Sequence, residues 1–509
     1  MTDPALARPA YGLWAACAAV KLAIFAVAGR AYGYLSDELY FLDAAAHLAL
    51  GYVDYPPLIA WTVAGLTTLF GMDLLVLRGF ACIVGILVTL IAVDLVRILG
   101  GGRTAQGLSA IVVLFAPAFL SVQSILTMNV LDQLWWALGF YLLARYLKDR
   151  RAADMRWLGV VFGFALLTKL ALPVWGLALA TAVLLYARWT LTRPEVWQAV
   201  AIMVLIASPF LYWQIANGWP FLEFVAAYNA EAPEAMVIDQ PIFGLIATMN
   251  PPFLLIWLPG LVYGLLAKDP VHRVLGTAAV LCLTLFLLAG VKFYFATPLF
   301  ILFTGFGAML WERWLAGRRR NSAIFLASMA ISGVFSIPIA APVLPPPLLQ
   351  AAADFIRDGE QGSPGTEPAP MGRYFPHFAE MHSWPELVDR VTVHFDALPE
   401  DAKRETGLLA AYYGQAGALN QLDGDRLPTA HSGHVSYHFW NAGADFEQLI
   451  TVGFDLALLE RLYARVEVLE EFSCERCMAR ENGLLIAQVS APKQPAEEIR
   501  KEIKRFYFF

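Results

Sequence analysis

The sequence predicts a polytopic α-helical membrane protein with a soluble α/β domain at its C-terminus. Three observations predict it. Hydrophobic residues make up 59% of the 509-residue chain and charged residues only 15%, which is the balance of a polytopic membrane protein rather than a soluble one. Apolar runs near the ~20 residues needed to cross a bilayer recur along the first two thirds. From about Leu344 the pattern stops at Pro345-Pro346-Pro347 and a mixed polar and apolar sequence follows to Phe509. The formal net charge of −6 offers no basic stripe, so nucleic acid is excluded as a partner.

The first run holds Lys21 and lacks a small-residue cleavage signal after a short hydrophobic core, so it is expected to remain as a retained signal anchor. Runs at Trp14–Ala31, Leu74–Leu99, Ala105–Ser124, Val130–Leu147, Leu158–Pro173, Val174–Tyr186, Val196–Ile215, Phe243–Ala267, Val274–Gly290, Tyr294–Trp311 and Ala323–Val343 give about eleven spans. The fifth and sixth, parted at Leu172-Pro173, are short enough to be tilted, re-entrant or fused. Basic residues fall in alternate loops: Arg97 with Arg103, Lys148 to Arg151 with Arg156, Arg188 with Arg193, Lys268 with His272-Arg273, and Arg313 with Arg318-Arg319-Arg320. The positive-inside rule makes those loops cytoplasmic. The remaining connections, including 217–240 with Glu223, Glu231, Glu234 and Asp239, then lie outside. That topology leaves Pro57–Phe70 as an apolar segment that does not cross, read as an interfacial helix. The expected domains are a transmembrane part over 1–343 with its first outer loop at 32–73, a Pro/Gly-rich linker over 344–371, and an outer domain over 372–509. Within the outer domain Leu408–Tyr412, Gln448–Val452, Val466–Glu471 and Leu484–Val489 read as strands, with a helical pattern at Leu456–Val466.

With orientation assigned, the polar residues near the spans collect at the outer face. Asp37-Glu38 follow the first span, and Asn129 and Asp132 open the fourth. Lys169 sits near the outer end of the fifth, Lys292 and Tyr294 precede the tenth, and Arg78 begins the second. Ionisable groups beside hydrocarbon are costly and are kept where they face a cavity or a partner. A carboxylate there can serve as general base toward a hydroxyl, and a lysine can hold a phosphate as a point charge. Each has a plainer reading: Asp132 as a helix N-terminal carboxylate, and Lys169, Lys292 and Arg78 as snorkelling side chains. His47 reads as a helix-face residue. No spacing indicates a metal site, and a divalent ion held by Asp37, Glu38 and Asp132 is left open.

Ser36-Asp37-Glu38-Leu39-Tyr40, Gly51 to Leu58 (GYVDYPPL), Leu131-Asp132 and Leu167-Thr168-Lys169 together resemble a known pattern. It is that of the family 39 glycosyltransferases of the GT-C class, the group that includes protein O-mannosyltransferases and aminoarabinose transferases of lipid A. The resemblance continues through Pro209 to Gln214 with Asn217-Gly218, Lys292-Phe293-Tyr294, Tyr413-Gly414-Gln415-Ala416 and Ser432-Gly433-His434. It implies a GT-C fold in the cell (inner) membrane and a periplasmic outer domain. It further implies a polyprenyl-phosphate sugar donor and transfer, usually with inversion, to a lipid, polysaccharide or protein acceptor outside. Under it Asp37 is the general base, with Glu38 and Asp132 shaping the acceptor or a metal. Lys169, Lys292 and Arg78 hold the donor phosphate, while Asp54, Tyr55, Asn129 and Tyr294 line the substrate pocket. Tyr55-Pro56-Pro57 also reads as a structural brace. The chain lacks the sugar-binding domain that protein O-mannosyltransferases insert in a luminal loop, which weakens the case for a protein acceptor.

Cys17, Cys82 and Cys282 lie in spans as small apolar residues. The pair Cys474 and Cys477, outside the membrane and without a second metal-spaced pair, points to a structural disulfide. Gly414-Gln415-Ala416-Gly417 after the first strand reads either as an anion-holding helix start or as close packing, with packing the stronger. The competing function class is a transporter or lipid flippase with charged residues lining its path, which should show polar groups near the midplane and matching halves. A non-catalytic assembly factor is the third.

Overall fold

The computed structural model describes residues 10–231, 239–359, 374–423, 426–440 and 447–508. Every apolar run of the sequence is helical. Among the described residues, six helices are long and apolar enough to cross a membrane individually: Tyr11–Ala28, Leu74–Ile98, Pro194–Ala216, Pro270–Leu288, Tyr294–Trp314 and Arg319–Ala340. Two bent pairs bring the number to eight. The helices Met128–Asp149, Ala152–Leu166 and Leu172–Tyr186 account for the other expected spans.

Two expected spans are broken rather than straight. Arg103–Phe115 and Pro117–Ser124 meet at 63°, and Ile242–Thr248 and Pro251–Leu266 at 101°. Proline accounts for both, since it supplies no N–H and crowds the preceding turn. At the sharper break Asn250 takes φ 62°, a left-handed conformation that asparagine tolerates better than most. Its Nδ2 donates to Ser336 Oγ at 2.9 Å and to the Ser332 carbonyl at 3.1 Å, so the break carries its own polar partners, as a membrane requires.

Contacts divide the chain into two compact units. The first comprises Met1–Gly29, Leu75–Tyr212 and Pro233–Val343. Its helices approach to backbone contact at glycines: a Cβ on Gly260 would lie 1.8 Å from the Phe303 carbonyl oxygen, and one on Gly276 2.3 Å from Gly264 Cα. Small residues at crossings are how apolar helices associate without a hydrophobic driving force between them.

The second unit comprises Arg30–Leu74, Trp213–Ala232 and Leu344–Phe509, so the segment expected as the first outer loop folds with the C-terminal region. Its sheet contains β1 (Thr406–Ala410), β2 (Ala430–Ser432), β3 (Gln448–Val452), β4 (Tyr463–Phe472) and β5 (Leu484–Pro492), in the order β2-β1-β3-β5-β4. β1 pairs in parallel with β2 and β3, while β5 runs antiparallel to β3 and β4. Leu409, Leu449, Leu459, Leu462, Val489 and Ile499 pack one core of this layer. The linker expectation is corrected over its first half. Pro346–Gly359 is an amphipathic helix, which proline permits at a helix start where its missing N–H is not needed. The rest of that segment, residues 360–371, lies outside the described residues.

Helix Ser36–Ala46 packs on helix Tyr413–Leu422 within this unit. A Cβ on Gly414 would sit 2.8 Å from Ser36 Oγ, and one on Gly417 3.0 Å from Leu39 Cβ. The glycine spacing therefore serves close packing. The residues Pro57–Phe70 form the expected helix, over Leu58–Phe70.

Candidate functional site

In the second unit, the Ser36–Ala46 helix begins without a side-chain cap from Leu35 itself, and Glu38 supplies one instead. Its Oε2 accepts the Leu35 N–H at 3.0 Å, and the residue is 1% exposed. Glu38, expected to shape the acceptor or a metal, is thus a buried helix-start residue satisfying a backbone donor. Asp37, its neighbour, stays partly exposed, and the Tyr413 hydroxyl donates to its Oδ1 at 2.8 Å. Asp54 accepts from the Tyr40 hydroxyl at 2.9 Å. Burial pushes Asp54 up to about 7, the Tyr40 hydrogen bond opposes this, and the charge of Asp37 adds to it. The two carboxylates therefore feel each other, and each is held by a buried tyrosine.

Tyr40 is fixed in turn by the Ser436 N–H at 3.1 Å, and Ser436 Oγ accepts the Val53 N–H at 3.1 Å. Asp43, which the sequence did not single out, accepts from Asn420 at 2.7 Å and also from Gln421 and Tyr437. Burial raises its carboxyl. The GYVDYPP motif is likewise internal: Gln214 donates to the Tyr52 carbonyl at 3.2 Å, and Tyr55 is 1% exposed among Tyr40, Phe41 and Tyr52. Tyr55, expected both as pocket lining and as part of a brace, is packed among these rings. His47 closes the helix, with its ring stacked on Trp440 at 4.7 Å.

Tyr413 itself is anchored through His434. The Tyr413 N–H donates to Nδ1 at 3.0 Å, and Nε2 faces the Tyr507 carbonyl oxygen at 2.7 Å, which places the ring proton on Nε2. Burial holds His434 down to about 3, so it is neutral at working pH. The two sequence motifs Tyr413-Gly414-Gln415-Ala416 and Ser432-Gly433-His434 thus meet. Cys474 and Cys477 form the expected disulfide.

In the membrane unit, Thr127 caps the Met128–Asp149 helix by accepting the Asn129 N–H at 3.3 Å. Asp132 therefore lies beyond the first turn. It is buried and accepts from Trp136 Nε1 at 3.0 Å, so the helix-terminus reading does not hold. Lys169 follows the Ala152–Leu166 helix and is 5% exposed. Its Nζ donates to Asn129 Oδ1 at 2.8 Å and lies 3.6 Å from the centre of the Phe295 ring and 4.7 Å from that of Tyr294. Asp132 and Lys292 both act on it electrostatically. Burial removes the snorkelling alternative for Lys169, and for Arg78, which is 0% exposed. Asn129, Asp132, Lys169, Lys292 and Tyr294 are brought together, while Asp37, Glu38, Asp54 and Tyr55 belong to the other unit.

A polar chain in the membrane unit went unassigned in the sequence. Buried Lys21 donates to Gln123 Oε1 at 2.5 Å, and Gln123 Nε2 donates to Gln133 Oε1 at 2.8 Å. Its one sequence signal is a lysine inside an apolar run, with both glutamines distant. Among the described residues, no group of three or more His, Cys, Asp or Glu is placed to hold a metal ion.

These features define a multi-pass helical membrane protein with a carboxylate cluster in one unit and two lysines, Lys169 and Lys292, together in the other. A family model described as dolichyl-phosphate-mannose-protein mannosyltransferase matches residues 54–213, a stretch that contains Arg78, Asn129, Asp132 and Lys169 but begins after Asp37. The fold is shared with ArnT from Cupriavidus metallidurans in the apo state, at TM-score 0.58 and 16% identity over 94% of this chain and 98% of that one. The same protein bound to undecaprenyl phosphate gives the same values: TM-score 0.58, 16% identity, 94% and 98%. The oligosaccharyltransferase of Archaeoglobus fulgidus, tethered with an acceptor peptide, aligns at TM-score 0.47 and 12% identity over 82% of this chain and 63% of that one. No curated protein matches the sequence. The family match over residues 54–213 supports the resemblance to family 39 glycosyltransferases, and the chain shares the GT-C fold of ArnT.

Proposed function

We propose that this protein is a membrane glycosyltransferase that moves a hexosyl or pentosyl group from a polyprenyl-phosphate donor to an extracytoplasmic lipid, polysaccharide or protein acceptor. In this reading it resides in a cell (inner) membrane with its outer unit periplasmic. The observation that carries the reading is Lys169. An ammonium 5% exposed in a membrane unit, hydrogen-bonded to a neutral amide and set over two aromatic rings, is poised for an anionic group.

In the reaction, Asp37 takes the proton of the acceptor hydroxyl as its oxygen attacks the anomeric carbon. The bond from that carbon to the phosphate oxygen breaks with inversion, and its electron pair leaves on the polyprenyl phosphate. Lys169 and Lys292 stabilise the charge gathering there, and Arg78 supports the same anion. General-base assistance contributes about 10²–10⁴-fold, and loss of a preorganised cationic or hydrogen-bonding partner costs about 10²–10³-fold. Asp132 orients the lysine side, and Asp54, Asn129 and Tyr294 position substrate.

The transporter or flippase reading draws on one observation, the buried Lys21–Gln123–Gln133 chain. A single experiment separates the two. Purified protein is incubated with a panel of polyprenyl-phosphate sugars and membrane extract, and free polyprenyl phosphate is measured. A transferase releases it from one donor; a flippase moves the lipid intact and releases none.

A further inference from the structure

We infer that Tyr413 is a positioning residue for the base, supplied by the C-terminal part of the chain through a relay that ends near its last residues. The inference rests on the reading of Asp37 as general base. Tyr413 is 6% exposed, and its hydroxyl donates to one oxygen of Asp37 at 2.8 Å. A carboxylate with one oxygen committed to a fixed donor offers the other in a defined direction, which is what proton abstraction in a single geometry requires. A donor to one oxygen favours the charged form of a carboxylate, while the charge of Asp54 acts on Asp37 in the opposite sense.

The relay behind the hydroxyl is rigid. The Tyr413 backbone N–H is taken by His434 Nδ1 at 3.0 Å, and His434 Nε2–H by the Tyr507 carbonyl at 2.7 Å. Gly433 sits where a Cβ would meet the Ile503 carbonyl oxygen at 2.2 Å, so the turn that presents His434 admits no side chain. The ring of Tyr413 is boxed by Tyr40 at 4.9 Å, His434 at 5.3 Å and Phe508 at 5.9 Å between centroids. Gly414 and Gly417 bring its helix against Ser36 and Leu39, which flank Asp37 in sequence. Glu380, whose charge also acts on Tyr413, accepts from the Ser36 N–H at 3.0 Å and fixes the start of the Ser36–Ala46 helix that carries Asp37. Packing, backbone and hydroxyl all place one phenol on one carboxylate.

The test uses the full-length protein and the donor that wild type turns over, with kcat, acceptor KM and the pH profile of kcat measured for wild type, Tyr413→Phe and Asp37→Asn. Tyr413→Phe keeps the ring and removes only the donor. It is expected to lower kcat about tenfold, leave KM within about twofold, and move the acid limb up by about one pH unit, the size of a charge-assisted hydrogen bond. A lowered kcat with an unmoved acid limb, or an unchanged kcat, overturns the inference. If Tyr413→Phe fails to fold, 3-fluorotyrosine at position 413 decides. Its more acidic phenol strengthens the bond and should move the acid limb down, and an unmoved limb overturns the role. Asp37→Asn separates the two layers: loss of turnover keeps the base reading whatever Tyr413 does, while full turnover removes the base and its positioning together.

Discussion

Replacing Asp43 tests whether the first outer loop is fastened to the sheet-bearing region of its unit. Asp43 is 3% exposed and takes donors from Asn420, Gln421 and Tyr437, all distant in sequence. In Asp43→Ala the three donors lose their acceptor, but not equally. Asn420 Nδ2 keeps the Ala430 carbonyl at 3.3 Å, and Gln421, partly exposed, can reach water. The Tyr437 hydroxyl, on a residue 2% exposed, is stranded. A buried unsatisfied donor costs about 1–3 kcal/mol and the hydrogen bonds lost by Asn420 and Gln421 add about 1 kcal/mol, so the expected loss is about 2–4 kcal/mol. For a unit of this size that is roughly 5–15 °C in Tm. Asp43→Asn retains an acceptor for Tyr437 and removes a charge whose carboxyl burial already disfavours ionising, so it should cost less than alanine. Thermal unfolding in detergent, followed by tryptophan fluorescence, measures both. A Tm for Asp43→Ala within about 2 °C of wild type, or asparagine proving the more damaging of the two, would refute the argument.

Three further outcomes follow from the geometry. Asp54 is pushed up to about 7 in the folded chain, against about 3.9 unfolded. The folded state therefore binds the proton more tightly, and this contribution to stability is full below about pH 4 and lost as pH rises to about 7. Asp54→Asn should flatten that slope and raise Tm above pH 7, and a slope between pH 5 and 8 identical to wild type would count against it. Lys169→Met should lower kcat about 10²–10³-fold, and Lys169→Arg should not restore it, because a fork-shaped guanidinium does not replace a compact ammonium between Asn129 and the Phe295 ring; wild-type kinetics in either variant would remove the phosphate role. Opening the disulfide with Cys474→Ser and Cys477→Ser should cost no more than about 2 kcal/mol, since the closed loop is short; a collapse of expression or Tm would show that the bridge holds more than its own turn.

The membrane helices were legible because apolar length is written directly in the sequence, and so were the strands read at Gln448–Val452 and Leu484–Val489, the second of which runs on to Pro492. The bend at Asn250 was harder to see. Its Asn-Pro-Pro signal is local, but its support comes from Ser332 and Ser336 far along the chain. β2, three residues long, leaves too short a pattern to detect. For the site, residue types near the outer face pointed to Asn129, Asp132 and Lys169, whose contacts now account for one another. Glu38 and Tyr55 carry structural contacts, a backbone cap and aromatic packing, that residue type alone does not reveal. Asp43, Tyr413 and Lys21 were missed as site partners for one reason: each is defined by a partner dozens to hundreds of residues away, and no periodicity records that.

The central claim is best tested by the release of free polyprenyl phosphate from purified protein given a panel of polyprenyl-phosphate sugars and membrane extract, with Asp37→Asn alongside. Wild type is expected to release it from one donor, and a folded Asp37→Asn to release none. No release from any donor would contradict the transferase reading, and equal release by Asp37→Asn would contradict its mechanism.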